Sequence, residues 1–274
     1  MLKGTAREAA AEFLGTFVLI VFGVGVVAQV VLGDGTAGEY LSINIGWGVA
    51  VALAVYTAAG VSGAHINPAV TIAVAVHRQF PWSKVLPYIV AQFAGAILAS
   101  FVVFVVYHEA LDAYCNAHHV ALEVPGVSNV TAPTAQIWAT YPREFADKTF
   151  LTSFPGGLLD QILGTALLVL IVFALGDEKN AAPKSNLAPA LVGATVLLIG
   201  MTFGYNAGYA INPARDLGPR LFTYFAGWGS DVFTTGDNWW WVPIVGPLVG
   251  GVVGGYVYDV CITRHHPPDE ETAE

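Results

Sequence analysis

Charge is scarce in this chain. Asp, Glu, Lys and Arg together make up 11% of its 274 residues, where a soluble domain carries about 25%. Too little polar surface remains to face water on all sides, which excludes a soluble globular domain. Cysteine is nearly missing too: Cys115 and Cys261 cannot build a disulfide framework. There is no basic patch, so nucleic acid is not an expected partner. No P-loop is present, and the apolar segments hold no set of carboxylates, cysteines and histidines. His118-His119 and His265-His266 are adjacent pairs in loop or tail and read as solvated. No metal, cofactor or enzymatic nucleophile is therefore expected. Much of the net charge of −9 sits in the acidic loops and the tail "DEETAE" at 269–274, a solvated end.

What the chain has is apolar residues, 55% of the total. A bilayer core of roughly 30 Å needs about 20 of them per helical span. Six segments qualify: 9–32, 43–61, 84–107, 156–176, 187–206 and 241–262. The first is long enough to span and no small-residue cleavage site follows it, so it does not read as a signal peptide. Two further pieces, 68–76 and 213–226, are apolar but too short, and each opens on Asn-Pro-Ala. Lys3, Arg7, Arg78, Lys84, Lys179, Lys184 and Arg264 fall on one side if both termini are cytoplasmic, against Arg143 and Lys148 on the other. The loop 108–153 is the one long non-apolar connection, and Asn129-Val130-Thr131 within it forms a sequon on the outer side.

The halves look like copies. "AEFLGTFVLIVFG" at 11–23 resembles "DQILGTALLVLIVFALG" at 160–176, and the Asn-Pro-Ala pieces occupy matching places. Three spans per half is an odd number, so the second copy must enter the membrane inverted. The organisation expected is a first repeat over 1–110, a connecting loop over 111–155, a second repeat over 156–262 and a cytoplasmic tail over 263–274. The fold class is an all-α polytopic membrane protein of six spans plus two half-helices.

One Asn-Pro-Ala is no more than a capped helix start: Pro68 and Pro213 suit the first helical position, and Asn67 and Asn212 the N-cap. Two copies, each beginning a half-length helix deep in lipid, say more. The stretches before them, "GVSGAH" and "YNAGYA", are too irregular for helix. Non-helical backbone at membrane depth needs burial in protein or a water-filled cavity. Carbonyls of Ala64, His65 and Ile66, and of Gly208, Tyr209 and Ala210, would then form acceptor ladders along a pore. The Asn67 and Asn212 amides can cap a helix and still offer an N–H to the lumen.

Paired "HINPAVT" and "INPARD" motifs in two three-span repeats resemble the aquaporin superfamily. The Asp in "NPARDLGPR" resembles its glycerol-conducting branch, the aquaglyceroporins. "LDQILGT", "LFTYFAGWGSDVFTTG" and "WWWVPIVGPLVG" are similar to the animal members, and the likeness covers roughly 5–262. It implies a selectivity filter of Trp47, Gly200, Tyr209 and Arg215. Arg215 sits in a half-helix's first turn, where the macrodipole disfavours a cation and the bilayer adds several kcal/mol, about 3 on insertion scales. Its fork of donors suits adjacent hydroxyls. Trp47 and Tyr209 would supply an apolar corner for a polyol's carbon chain, and Gly200 the room that a triol needs. Tyr107, Arg220, Pro243 and Ile244 match other positions that set this branch apart from water channels.

The resemblance also implies supporting roles. Glu12 holds the first loop's carbonyls by hydrogen bonds, Gln161 is its counterpart in the second half, and Asp216 forms a local pair with Arg220 and opens the outer vestibule. Bacterial glycerol facilitators commonly carry Glu where this chain has Gln161. His65 reads as an anchor for the first loop rather than a proton carrier. Gly246, Gly250 and Gly254 allow close helix approach, either within the monomer or between subunits. The function implied is a passive plasma-membrane channel for glycerol and water, with urea and metalloid acids as further candidate permeants, assembled as a homotetramer. A water-selective channel is the nearer alternative. A secondary transporter would need ion-coupling acids, for which Glu12 and Asp160 are the candidates.

Overall fold

A computed structural model describes residues 2–119, 133–145, 148–149 and 151–268. Asn129 and the end of the acidic tail lie outside the described residues. The first apolar run forms α1 (Gly4–Leu32) and the second α2 (Tyr40–Ser62). Glu39 and Ser42 close a capping box at the start of α2, where the first amides lack helical partners. Gly63, left-handed at φ 84°, stops it and turns the chain back toward the bundle. After an irregular stretch comes the half-helix α3 (Pro68–His77), then α4 (Trp82–His118). The second half gives α5 (Leu158–Leu175), α6 (Ala188–Phe203), the half-helix α7 (Pro213–Thr223), a short kinked α8 (Asp231–Asn238) and α9 (Val242–Cys261). The architecture is helical, as a membrane demands of any chain that must satisfy its own backbone. A two-residue antiparallel ladder, Glu144–Phe145 with Lys148–Thr149, is the one β element among the described residues.

Most helix ends shift by a few residues from the sequence expectation, and the end of α4 shifts furthest. Helix α4 does not stop at 107 but runs on to His118, past the 110/111 division, for 37 residues or about 55 Å. The extension "HEALDAYCNAH" is polar but helix-compatible. A His108–Asp112 pair at 3.3 Å and a Tyr114–His118 ring stack hold it one turn apart. Helix α6 is the shortest span, 16 residues and about 24 Å.

The packing carries the inverted symmetry. Helix α1 packs on α2 and α4, and α5 on α6 and α9. The half-helices cross over: α3 lies against α9 of the other half, and α7 against α4. Helices α2 and α6 meet on the pseudo-symmetry axis. Lipid gives no hydrophobic drive between helices, so close approach through small residues does the work. Gly246, Gly250 and Gly254 abut Gln161, Ile162 and Ala166 of α5, which places this stripe within the monomer. Phe22, Leu53, Leu86, Val106, Leu198 and Phe225 point outward, the pattern of a lipid-facing surface.

Candidate functional site

The half-helix N-termini meet inside the bundle. Asn67 caps α3 by accepting from Ala69 N–H at 2.8 Å, and Asn212 caps α7 from Ala214 and Arg215 N–H at 3.0 and 3.2 Å. Each side-chain amide then reaches the other loop. Asn67 Nδ2 donates to Ile211 O at 2.8 Å, and Asn212 Nδ2 donates to Ile66 O at 2.8 Å. Each amide has a second N–H, so capping, cross-linking and an offer to the lumen are compatible. Ile66 and Ile211, next to the asparagines, have φ of 44° and 43°, a left-handed conformation rare for a β-branched residue. Such strain, of order 1–3 kcal/mol each, persists only where the surroundings impose it. Here Glu12 and Gln161 hold the Ile66 and Ile211 N–H groups. Gly15 of α1 and Gly164 of α5 leave room for the side chains, since a Cβ on either would lie 2.8 or 3.1 Å from the Ile66 or Ile211 side chain.

A cavity of about 250 Å³ runs past both asparagines, lined on one side by Ala64, His65 and Ile66 and on another by Tyr209, Ala210 and Ile211. Val51, Val70, Leu168, Val192 and Val196 supply an apolar wall. A second, more polar cavity of about 630 Å³ lies beyond it, bordered by Tyr40, Arg143, Tyr205 and Gly208. Trp47, Tyr209 and Arg215 line both, and therefore stand where one opens into the other. The Arg215 guanidinium lies 4.1 Å from the Trp47 ring centroid and donates to Trp138 O at 3.0 Å. The guanidinium thus lies over the Trp47 ring, and N–H donors and two aromatic side chains together border this passage.

The sequence matches the family described as major intrinsic protein over residues 2–258. The chain belongs to the major intrinsic protein family. Curated relatives include "Aquaporin-10" of Milnesium tardigradum, 46% identical over 96% of this chain, and "Aquaporin-9" of Homo sapiens, 44% identical over 96% of it. The matches span 64% and 85% of those relatives' own lengths. Among solved structures, the aquaglyceroporin from Plasmodium falciparum superposes with a TM-score of 0.80 at 32% identity, over 95% of this chain and 98% of that one. Within the major intrinsic proteins the chain sorts with the animal-type aquaglyceroporins; members of this family are channels, not enzymes.

The third filter wall differs from the expectation. Gly200 lines neither cavity, and the room it leaves is not open. A Cβ there would sit 2.5 Å from Tyr209 Cε1 and 2.5 Å from Asn44 Oδ1. The glycine seats the tyrosine ring. Gly23 does the same for Trp47, whose ring a Cβ at 23 would overlap. The ladder is also shorter in free acceptors than expected: Ile66 O carries the Asn212 amide, and Gly208 O accepts from Gln161 Nε2 at 3.2 Å. His65 edges against Phe80 and Tyr88, with Nδ1 3.2 Å from Thr71 Oγ1, and lines the cavity.

Glu12 grips the first loop by its N–H groups, not its carbonyls, because a carboxylate only accepts. Buried Glu12 takes His65 N–H at 2.9 Å, Ile66 N–H at 2.6 Å, Ser62 Oγ at 2.6 Å and Gln92 Nε2 at 2.8 Å. Its counterpart Gln161 accepts from Ala210 and Ile211 N–H at 3.0 and 3.4 Å. The charge has moved one position: Gln161 Nε2 donates to Asp160 Oδ2 at 2.9 Å, and Asn206 Nδ2 to Asp160 Oδ1 at 2.9 Å. Gln161→Glu would keep the acceptors but lose the donor to Gly208 O and face Asp160 with a second carboxylate. It should cost about 1–3 kcal/mol, read as a lower thermal-unfolding midpoint in detergent. Adding Asp160→Asn should restore most of it. A Gln161→Glu midpoint equal to the parent's would remove Asp160 from this account.

Asp216 reaches much further than its local partner. Its Oδ1 accepts from Arg220 Nε and Nη2 at 3.0 and 2.8 Å, while Oδ2 accepts from Thr140 N–H at 2.8 Å and Thr140 Oγ1 at 2.5 Å. Arg220 donates on to Thr140 O at 2.6 Å and Val232 O at 2.5 Å, and lies over the Tyr141 ring. Burial pushes the Tyr141 phenol up to about 12, so it stays neutral beneath that cation. The same segment presents the Trp138 carbonyl to Arg215. Trp138, Thr140, Ile211 and Asn44 thus belong to the site; Trp138, Thr140 and Asn44 are recognisable only from contacts with distant elements, whereas Ile211 precedes Asn212 as Ile66 precedes Asn67.

Proposed function

We propose that this protein is a passive, ion-tight channel for glycerol and other small uncharged solutes, with water as a second permeant. Glycerol loses water at the constriction and regains hydrogen bonds from Arg215, while its carbon chain lies against Trp47 and Tyr209. One Arg215 N–H is spent on Trp138 O, and a guanidinium has five. Deeper in, the free loop carbonyls and the two asparagine amides take over. The observation that carries this reading is the passage bordered by N–H donors and aromatic rings together, leading onto the paired asparagines.

Ion exclusion follows from the same crossing. Two half-helix N-termini, each equivalent to about half a positive charge, point at one place. Arg215 adds a full charge beyond it. Glu12 has all its acceptor capacity committed to loop and side-chain donors, which disfavours a coupled transporter. Urea and metalloid acids are further candidate permeants, being small and neutral. Cytoplasmic termini are proposed from the basic-residue bias, and a plasma-membrane location from family membership. A homotetramer with a pore per subunit is the assembly proposed from family membership.

The test is stopped-flow light scattering of reconstituted vesicles. In a glycerol gradient they should shrink and then re-swell; in sucrose they should shrink and stay small. Re-swelling should be indifferent to proton and sodium ionophores. Glycerol entry that collapses with either gradient, or vesicles that never re-swell, would overturn the reading.

A further inference from the structure

Two buried polar groups beside the filter lack partners. The Tyr209 hydroxyl and the Asn44 carboxamide oxygen make no hydrogen bond among the described residues, and their residues are 9% and 1% exposed. An unmade bond in such a place is costly, because the group has given up water for nothing. Phenylalanine at 209 and an aliphatic residue at 44 would avoid that cost, so their polar atoms call for a purpose. The two are neighbours, since both crowd the space above Gly200. Gly200 and Gly204, one helical turn apart on α6, form a notch for the Tyr209 ring. Tyr40 Oη closes the Gly204 end and lies 3.4 Å from Gly200 O.

We propose that Asn44 is a specificity-determining positioning residue of the filter. Its carboxamide oxygen receives the Tyr209 O–H by a small rotation of the two side chains, with the ring seated in the glycine notch. That bond fixes how far the aromatic wall stands from Trp47 and Arg215. Asn44 lines neither cavity and does not meet the permeant; it acts through Tyr209 alone. Without it the ring has no polar anchor at its far end, and the passage narrows. Glycerol needs the wider bore, and water does not. The inference rests on the filter reading above.

The experiment is a double-mutant cycle in vesicles, reading the ratio of glycerol to water permeability with channel content matched. Asn44→Ala should lower the ratio about threefold to tenfold, the range into which one hydrogen bond's net worth converts. Tyr209→Phe should lower it similarly. In the Tyr209→Phe background Asn44→Ala should do nothing further. An equal effect of Asn44→Ala in both backgrounds, or no effect in either, would overturn the proposal. If Asn44→Ala does not reach the bilayer, Asn44→Leu, of similar volume and without an acceptor, carries the same expectation. A parent chain that passes no glycerol would sink the filter reading and this proposal together; a glycerol-conducting parent with a silent Asn44 sinks this one alone.

Discussion

Asp216→Ala is expected to destabilise the folded channel by about 3–5 kcal/mol, the range for breaking a fully buried ion pair. Both partners are inaccessible, and the pair is 2.8 Å apart. Removing the carboxylate leaves the Arg220 cation buried and uncompensated, and takes from Thr140 the two hydrogen bonds it gives Asp216. The loss should therefore reach the filter as well as the fold. Thr140 and Trp138 lie on one short segment, and Trp138 O is what Arg215 Nη1 bonds. Chains that survive should pass glycerol poorly and discriminate less between polyols. Thermal unfolding in detergent and vesicle permeability check the two parts separately. The double variant Asp216→Ala with Arg220→Met should recover a substantial share of the stability, because no buried charge is then stranded. It should not recover selectivity, because Thr140 then lacks its bonds to Asp216 and to Arg220 alike. A parent-like unfolding midpoint for Asp216→Ala would show that the pair is not the brace inferred here.

That network also marks where sequence reading stops. The half-helices were legible because their signals are local: Asn at the N-cap and Pro in the first turn carry the same chemistry wherever they occur. The spans were legible because lipid tolerates so few alternatives. Trp47, Tyr209 and Arg215 were reachable by resemblance, and they do meet at one passage. Thr140 gave no such signal. It lies 76 positions from Asp216 in a polar loop with no period, and only tertiary packing brings them together. The outer end of α4 was missed because hydropathy ends at 107 while helix propensity and local side-chain pairs continue to 118. Gly200 failed in a different way. A glycine in a sequence reports only a missing side chain, and not what fills the space. Asp160 read as a candidate coupling acid, yet it sits bonded to Gln161 and Asn206 as part of the second loop's support.

Gly200→His is expected to lower glycerol permeability far more than water permeability. The imidazole cannot simply project into an open bore, since the first atom of any side chain at 200 meets the Tyr209 ring and Asn44. One of them must move. Asn44 sits within α2, backed by its own helix, and is 1% exposed. The Tyr209 ring has a cavity on its other side. The ring is therefore the part that yields, and it yields toward Trp47 and Arg215. Overpacking of this kind costs about 1–3 kcal/mol; expressed as barrier height for a solute that needs the displaced volume, that is about tenfold to a hundredfold in rate. Glycerol permeability should fall by that much, and water permeability by far less, in the same vesicles with protein content matched. Gly200→Ala is the informative companion, because a single methyl should already displace the ring and give a smaller loss of the same kind. Equal losses of glycerol and water would point to collapse of the pore rather than a narrower filter. Glycerol flux unchanged in both variants would mean that Tyr209 does not bound the passage, and the filter would have to be sought elsewhere.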